Sequence, residues 1–388
     1  MTRRSFAGLA VGAIAGLAAC KAREEESKEG EPDVDAQHKA VGKDPDDETP
    51  TETDVEESDD SKEDAMPCTF DMHADTIDTL CMSDIEPYST IYANGCHTGT
   101  LADTDASVSA SRMGKMGWAQ CYAVWTPDDC PSVSHLEFYR RGAKFFRKQM
   151  KKLGDKFVYV KKGTDIRPAI KEGKVAAILT VENSCALEEG IEVLDEFEKD
   201  GVLVCGLTWN AENAVAGGVG TELGLTDLGR EYVSELERRQ MIVDISHLSD
   251  KGFWELEELA TRPYIATHSN ARDVCAAARN LTDDQFKAIA ERGGLVGLNM
   301  HTGFVCDDAH QYSFEELMKH VDHWLDLGGE DVIALGSDRD GSDLPAWIRD
   351  CSMQQGFYEQ SVDYLGEELT RKLFFDNAAD FFERYARA

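Results

Sequence analysis

Residues 175–182 read VAAILTVE, a run of small and branched apolar side chains closed by a single glutamate. The run is nearly unbroken. A strand with one wet face alternates apolar and polar residues, whereas a strand covered on both faces, as in a parallel sheet, does not. Seven more runs of this kind flank it: CTFDMH (68–73), GWAQCYAVW (117–125), VLVCGLTW (202–209), MIVDISH (241–247), YIATH (264–268), LVGLNM (295–300) and VIALGSD (332–338). Amphipathic stretches with helical spacing lie between them, among them SHLEFYRRGAKFFRKQMKKL (134–153), EEGIEVLDEFEKD (188–200), DLGREYVSELERRQ (227–240) and TDDQFKAIAERGG (282–294). The last opens on Thr282 as an N-cap and closes on glycine. Eight buried strands alternating with helices across residues 67–388 predict an α/β fold, a (β/α)8 TIM barrel. A doubly wound open sheet would carry a glycine-rich phosphate loop after its first strand, and none is present.

The polar residues that close these runs then acquire a common address, because a barrel of this type places its chemistry at the carboxyl ends of the strands. His73 and Asp75 close the first run, Glu182 the third, His247 the fifth, His268 the sixth and Asp338 the eighth. In an extended strand the i, i+2 spacing of His73 and Asp75 points both side chains to one face. Only three of the ten histidines close a run, and all three belong to this set. Imidazoles and carboxylates converging on one rim suit zinc or a similar divalent ion, and six candidates exceed the need of one tetrahedral ion. A two-metal site is the natural count.

The amino-terminal region reads differently. Residues 1–19, MTRRSFAGLAVGAIAGLAA, pair two arginines with an apolar run too short to span a bilayer, followed by Cys20. TRRSF resembles a twin-arginine export signal and LAAC a bacterial lipobox, which implies removal of residues 1–19 and lipidation of Cys20. Between Lys21 and Met66 stand 19 acidic and 6 basic residues with almost no large apolar side chains. That composition predicts a disordered, self-repelling tether over residues 20–66. The expected location is the outer face of the bacterial cytoplasmic membrane, held by a lipid anchor. The formal charge of −34 argues against nucleic acid as a partner. Setting Cys20 aside leaves ten cysteines, an even number compatible with disulfides outside the cytoplasm, and no C-x-x-C pair occurs.

The segments DMHADT, VENSCAL, GLTDLGREYVSELERRQMIVDISHLSD, THSNARDVCAAARNLTDDQFKAIAERGGLVGLN and GSDRDG together resemble the membrane (renal) dipeptidase family. These are zinc peptidases whose (β/α)8 barrel is related to the amidohydrolases. The resemblance implies two zinc ions per chain, one held by His73 and Asp75, the other by His247 and His268, with Glu182 bridging. It implies that Asp338 is the acid/base and that Arg279 holds the substrate's terminal carboxylate. The chemistry is coherent: two cations activate a shared water, a carboxylate moves its proton to the leaving amine, and a planar guanidinium pairs with a carboxylate. The implied substrates are dipeptides, including those with a D-residue on the carboxyl side. Dimers occur in the family.

Two departures from the family pattern stand out. GLTWN puts Trp209 where the family often has a histidine that contacts the scissile carbonyl; an indole N–H donates one hydrogen bond but carries no charge. Asn210 beside it is then a candidate to compensate in substrate binding. In NMHTGF, Phe304 stands near a tyrosine of the renal enzyme. Cys275 and Cys306 fall close to positions that form a disulfide there, which makes that pair the expected bridge. Trp209 also opens a second reading, an amidohydrolase acting on N-acyl amino acids. A third, of another class, is a surface lipoprotein that binds peptides without turnover.

Overall fold

The computed structural model describes residues 66–86 and 97–387. The expected signal segment, Cys20 and the acidic segment up to residue 65 lie outside the described residues. Eight parallel strands close on themselves: β1 (Cys68–Asp71), β2 (Gly117–Trp125), β3 (Val175–Glu182), β4 (Val204–Gly206), β5 (Ile242–Asp244), β6 (Ile265–Ala266), β7 (Leu295–Leu298) and β8 (Ile333–Leu335). Each pairs with its neighbour in chain order, and Asp71 opposite Leu335 closes β8 onto β1. The eight runs are the eight barrel strands. A further strand, Phe157–Val160, pairs with the first half of β3 outside the ring. Its four residues FVYV are followed directly by two lysines, a pattern too short to separate from a loop.

All eight positions of β3 are buried. Ala176 and Ile178 join Phe70, Cys121 and Ile242 in one apolar cluster inside the barrel, while Ala177, Leu179 and Val181 pack in a second cluster with the surrounding helices. Successive strand residues point to opposite faces, so Glu182 shares the inward phase of Ile178 and emerges inside the rim. At the other end, Phe382 rests on Phe70 with ring centroids 4.8 Å apart, and the carboxyl-terminal helix Asn377–Tyr385 floors the barrel.

The helices match the amphipathic stretches. Following α1 (Thr76–Cys81), α2 spans His135–Lys152 and is capped by Ser134, whose side chain accepts from Glu137 N. In the next stretch only Val193–Asp200 is α-helical. Thr226 caps Asp227–Arg238, and Thr282 caps Asp283–Glu291 in a reciprocal capping box with Gln285. Among the described residues no helix is long and apolar enough to cross a membrane.

Candidate metal centre

β1 and β8 continue past their last ladder pair. Asp338 N donates to His73 O at 3.1 Å and Asp75 N to Arg339 O at 2.9 Å, so two chain segments far apart in sequence present His73, Asp75 and Asp338 side by side. His73 Nε2 lies 3.4 Å from Asp75 Oδ2 and 3.3 Å from Glu182 Oε2. Across the rim Glu182 Oε1 is 3.1 Å from His247 Nε2 and 3.8 Å from His268 Nε2. His73 and His268 stack at 3.8 Å between centroids. Glu182 therefore sits between one histidine on one side and two on the other. All six residues are buried, none more than 8% exposed.

Local backbone supports the arrangement. His247, Asp338 and Asn183, the residue after Glu182, all adopt left-handed φ values of 67°, 62° and 64°. Such conformations cost about 1–3 kcal/mol each and persist where surrounding structure holds them. Gly341 approaches so closely that a Cβ there would collide with Asp75 Oδ2. No local pattern marks this glycine for that task.

Orienting partners fix the rings. His268 Nδ1 contacts Thr267 Oγ1 at 2.8 Å, and that hydroxyl donates to Asp244 Oδ2 at 2.6 Å. His247 Nδ1 is 3.0 Å from Asn210 Oδ1, which turns His247 Nε2 toward Glu182. Asn210 thus orients a histidine in addition to bordering the mouth. Asn299 Nδ2 donates to Asp338 Oδ2 at 3.1 Å. Asp244, Thr267 and Asn299 were not singled out from the sequence. Asp244 carried a signal nonetheless, as a charge inside the otherwise apolar start of MIVDISH.

Burial drives the electrostatics. Burial pushes His247 and His268 well below the usual imidazole range, and nearby positive groups push the same way, so both are neutral. Burial opposes charge on His73, yet Glu182 and Asp75 outweigh it and hold the imidazolium well above its usual range. Glu182 is pushed up to about 7 by burial, with His73 opposing. Asp338 is raised by burial, partly offset by His73.

These residues fit divalent metal. Ligand atoms of His73, Glu182 and His268, and again of His73, Asp75 and Asp338, all lie within 4.8 Å of one another. His73 Nε2 and Asp75 Oδ1 are buried without a hydrogen-bond partner. Orphaned ligand atoms, neutral imidazoles and crowded carboxylates are what a cation would satisfy.

The remaining expected residues line the same mouth. Arg279 donates to Ser269 Oγ and to His268 O, both at 2.7 Å, while its buried Nε has no partner. Burial lowers its pKa to about 10. Phe304 lies 5.9 Å from the Arg279 guanidinium carbon. Trp209 packs edge-on against Trp125 at 5.1 Å and lies 6.2 Å from the His247 ring.

The expected Cys275–Cys306 bridge is not formed. Both are free thiols: Cys275 Sγ faces Gly303 O and Asp307 Oδ1, whereas Cys306 Sγ donates to Asp308 O at 3.2 Å. The two sulfurs are engaged with different loop atoms.

Residues 68–384 match the sequence profile of the membrane dipeptidase family, peptidase family M19. The chain belongs to that family. The solved structure of dipeptidase AC, a metallopeptidase of family M19, is similar with a TM-score of 0.72 and 26% identity, over 83% of this chain and all of that one. A metallopeptidase from Rhodobacter sphaeroides, bound to a phosphinate mimic of the dipeptide L-Ala-D-Ala, matches with a TM-score of 0.72 and 26% identity, over 82% of this chain and 99% of its own. An uncharacterized protein in the pqqA 5' region of Klebsiella pneumoniae is 35% identical over 192 residues, 46% of this chain and 71% of that protein. The chain is accordingly a metallopeptidase on a (β/α)8 barrel.

Proposed function

We propose that this member of the family hydrolyses dipeptides with two zinc ions, including dipeptides whose carboxyl-terminal residue is D. The observation that carries the reading is Glu182, one oxygen directed at His73 and the other at His247 and His268. His73 and Asp75 would hold one ion, His247 and His268 the other, and Glu182 both. Bound there, such ions supply Lewis-acid activation of water and of the scissile carbonyl.

The chain's own groups do the rest. Asn299 fixes one oxygen of Asp338, leaving the other to accept a proton from the attacking water and return it to the leaving amine. Burial raises the Asp338 pKa, which brings its proton exchange closer to neutral pH. The orphaned Arg279 Nε offers a donor to the substrate's terminal carboxylate. Selection of a free carboxylate beside the scissile bond confines cleavage to the bond before the carboxyl-terminal residue. The ligand of the Rhodobacter protein supports the D-residue reading.

Trp209 beside Trp125 favours a second reading, cleavage of N-acyl amino acids, because the pair builds an aromatic wall next to His247. The same experiment decides between the two. Metal content of the purified protein is measured together with turnover of L-Ala-D-Ala, L-Ala-L-Ala and N-acetyl amino acids. Two zinc ions per chain and fastest cleavage of dipeptides are expected. Faster cleavage of the N-acyl series would transfer the assignment to the second reading, and binding without turnover would leave only a peptide receptor. We further propose export and lipidation at Cys20, with the acidic segment between the anchor and the barrel. The mass of the amino-terminal peptide of membrane-extracted protein tests this.

A further inference from the structure

Helix α2 contradicts the charge of the rest of the chain. Its 18 residues carry seven lysines and arginines and one acidic residue, in a protein whose formal charge is −34. Its apolar side, with Leu136, Tyr139, Ala143, Phe146 and Met150, is buried against the barrel. The outward positions Arg140, Lys144, Lys148, Lys151 and Lys152 recur at helical spacing and are exposed. Glu137, Arg140, Lys144 and Lys148 of this helix, with the end of α1 and the helix Val193–Asp200, line a groove of about 1130 Å³. Within it Arg140 pairs with Glu196, Arg141 with Asp84 and Arg147 with Asp200. Lys144, Lys148 and Lys199 are exposed on the same groove and form no ion pair among the described residues.

We infer that this groove is a docking surface for an anionic lipid bilayer. The inference rests on the proposed anchor at Cys20. From there 46 residues lead to Pro67, so an anchored body stays within about 160 Å of the bilayer whatever their conformation. A body this acidic is repelled by anionic headgroups on most approaches. A cationic face reverses the sign locally, and screening over about 8 Å at physiological salt confines the attraction to close contact by that face. Each lysine near an anionic surface strengthens attachment by roughly fivefold. The groove shares no residue with the metal centre, so docking sets orientation and leaves hydrolysis of soluble substrate alone.

The test uses the full chain with Cys20→Ser, which removes lipidation, and vesicles of phosphatidylcholine with and without phosphatidylglycerol. The expected result is sedimentation with the anionic vesicles at low salt, abolished by high salt. The triple variant Lys144→Glu/Lys148→Glu/Lys199→Glu should bind at least about tenfold more weakly at unchanged dipeptidase activity, since three favourable charges become unfavourable. Equal binding by parent and triple variant would overturn the proposal. So would a parent that ignores headgroup charge, or a dimer that dissociates in the triple variant while vesicle binding persists, which would assign the groove to a second copy. Failure of the anchor reading shows separately, as an unmodified Cys20 peptide, and does not alter the vesicle result.

Discussion

Asn299 donates its side-chain amide to Asp338 Oδ2 at 3.1 Å, and Asp338 N in turn donates to His73 O at 3.1 Å. Asp338, the proposed acid/base, is therefore held from both its side chain and its backbone, against the segment that carries two expected ligands. Asp338→Asn should lower kcat by about 10²–10⁴-fold with KM changed little, because proton transfer is lost while the site keeps its shape. Steady-state kinetics checks this. Retained turnover would remove Asp338 from the role.

Glu182 directs one oxygen at His73 and the other at His247 and His268. Glu182→Gln should reduce bound metal below two ions per chain, read by elemental analysis after dialysis. Thr267→Val breaks the link from Asp244 to His268 without touching a ligand atom. A loss of about 10–100-fold in metal affinity or activity is expected, because partners of a ligating histidine fix its orientation. An unchanged metal titration would show that His268 is oriented by packing alone.

Arg279→Lys keeps a positive charge and loses the planar fork that bonds Ser269 Oγ and His268 O. A drop in kcat/KM of about 10–100-fold is expected, equivalent to roughly 1.5–3 kcal/mol for charged hydrogen bonds. The loss should be confined to substrates with a free terminal carboxylate. Equal losses on carboxamide analogues would mean that Arg279 only holds the loop.

His320, which is not among the expected ligands, gives a pH dependence of stability. Its Nδ1 accepts from Ala271 N at 3.1 Å and its Nε2 faces Val305 O at 2.9 Å, an arrangement only the neutral ring can make. Burial lowers its pKa from 6.5 to about 4. Between those values the unfolded chain binds a proton the folded chain does not, so stability is full above pH 6.5 and falls as pH drops toward 4. The loss amounts to about 3 kcal/mol. Denaturant midpoints of the parent and of His320→Gln check it: the variant should be weaker at neutral pH and lack this part of the slope.

Much of the fold was legible because unbroken apolar runs have few physical readings. VAAILTVE is apolar on both faces, and only a strand sandwiched between a barrel interior and an outer helix buries it fully. The strand Phe157–Val160 has no such signature because it joins the sheet outside the ring, on partly buried positions that leave no long run. The cysteine pair was carried by resemblance alone. Loop conformation decides whether two sulfurs face each other, and here they face other atoms.

By itself the sequence determined the periodicity, hence eight strands and their helices, and the polar residue that closes each strand. It also determined the asymmetry of charge between the acidic chain and the basic helix α2. Tertiary structure alone decided how the closing residues meet. Glu182 divides its two oxygens between His73 and His247, Asn299 turns Asp338, and Thr267 links Asp244 to His268. Apart from the neighbours Thr267 and His268, the paired residues stand from 23 to 109 positions apart. Their geometry depends on strand register and on strained backbone at His247 and Asp338, which no local pattern encodes.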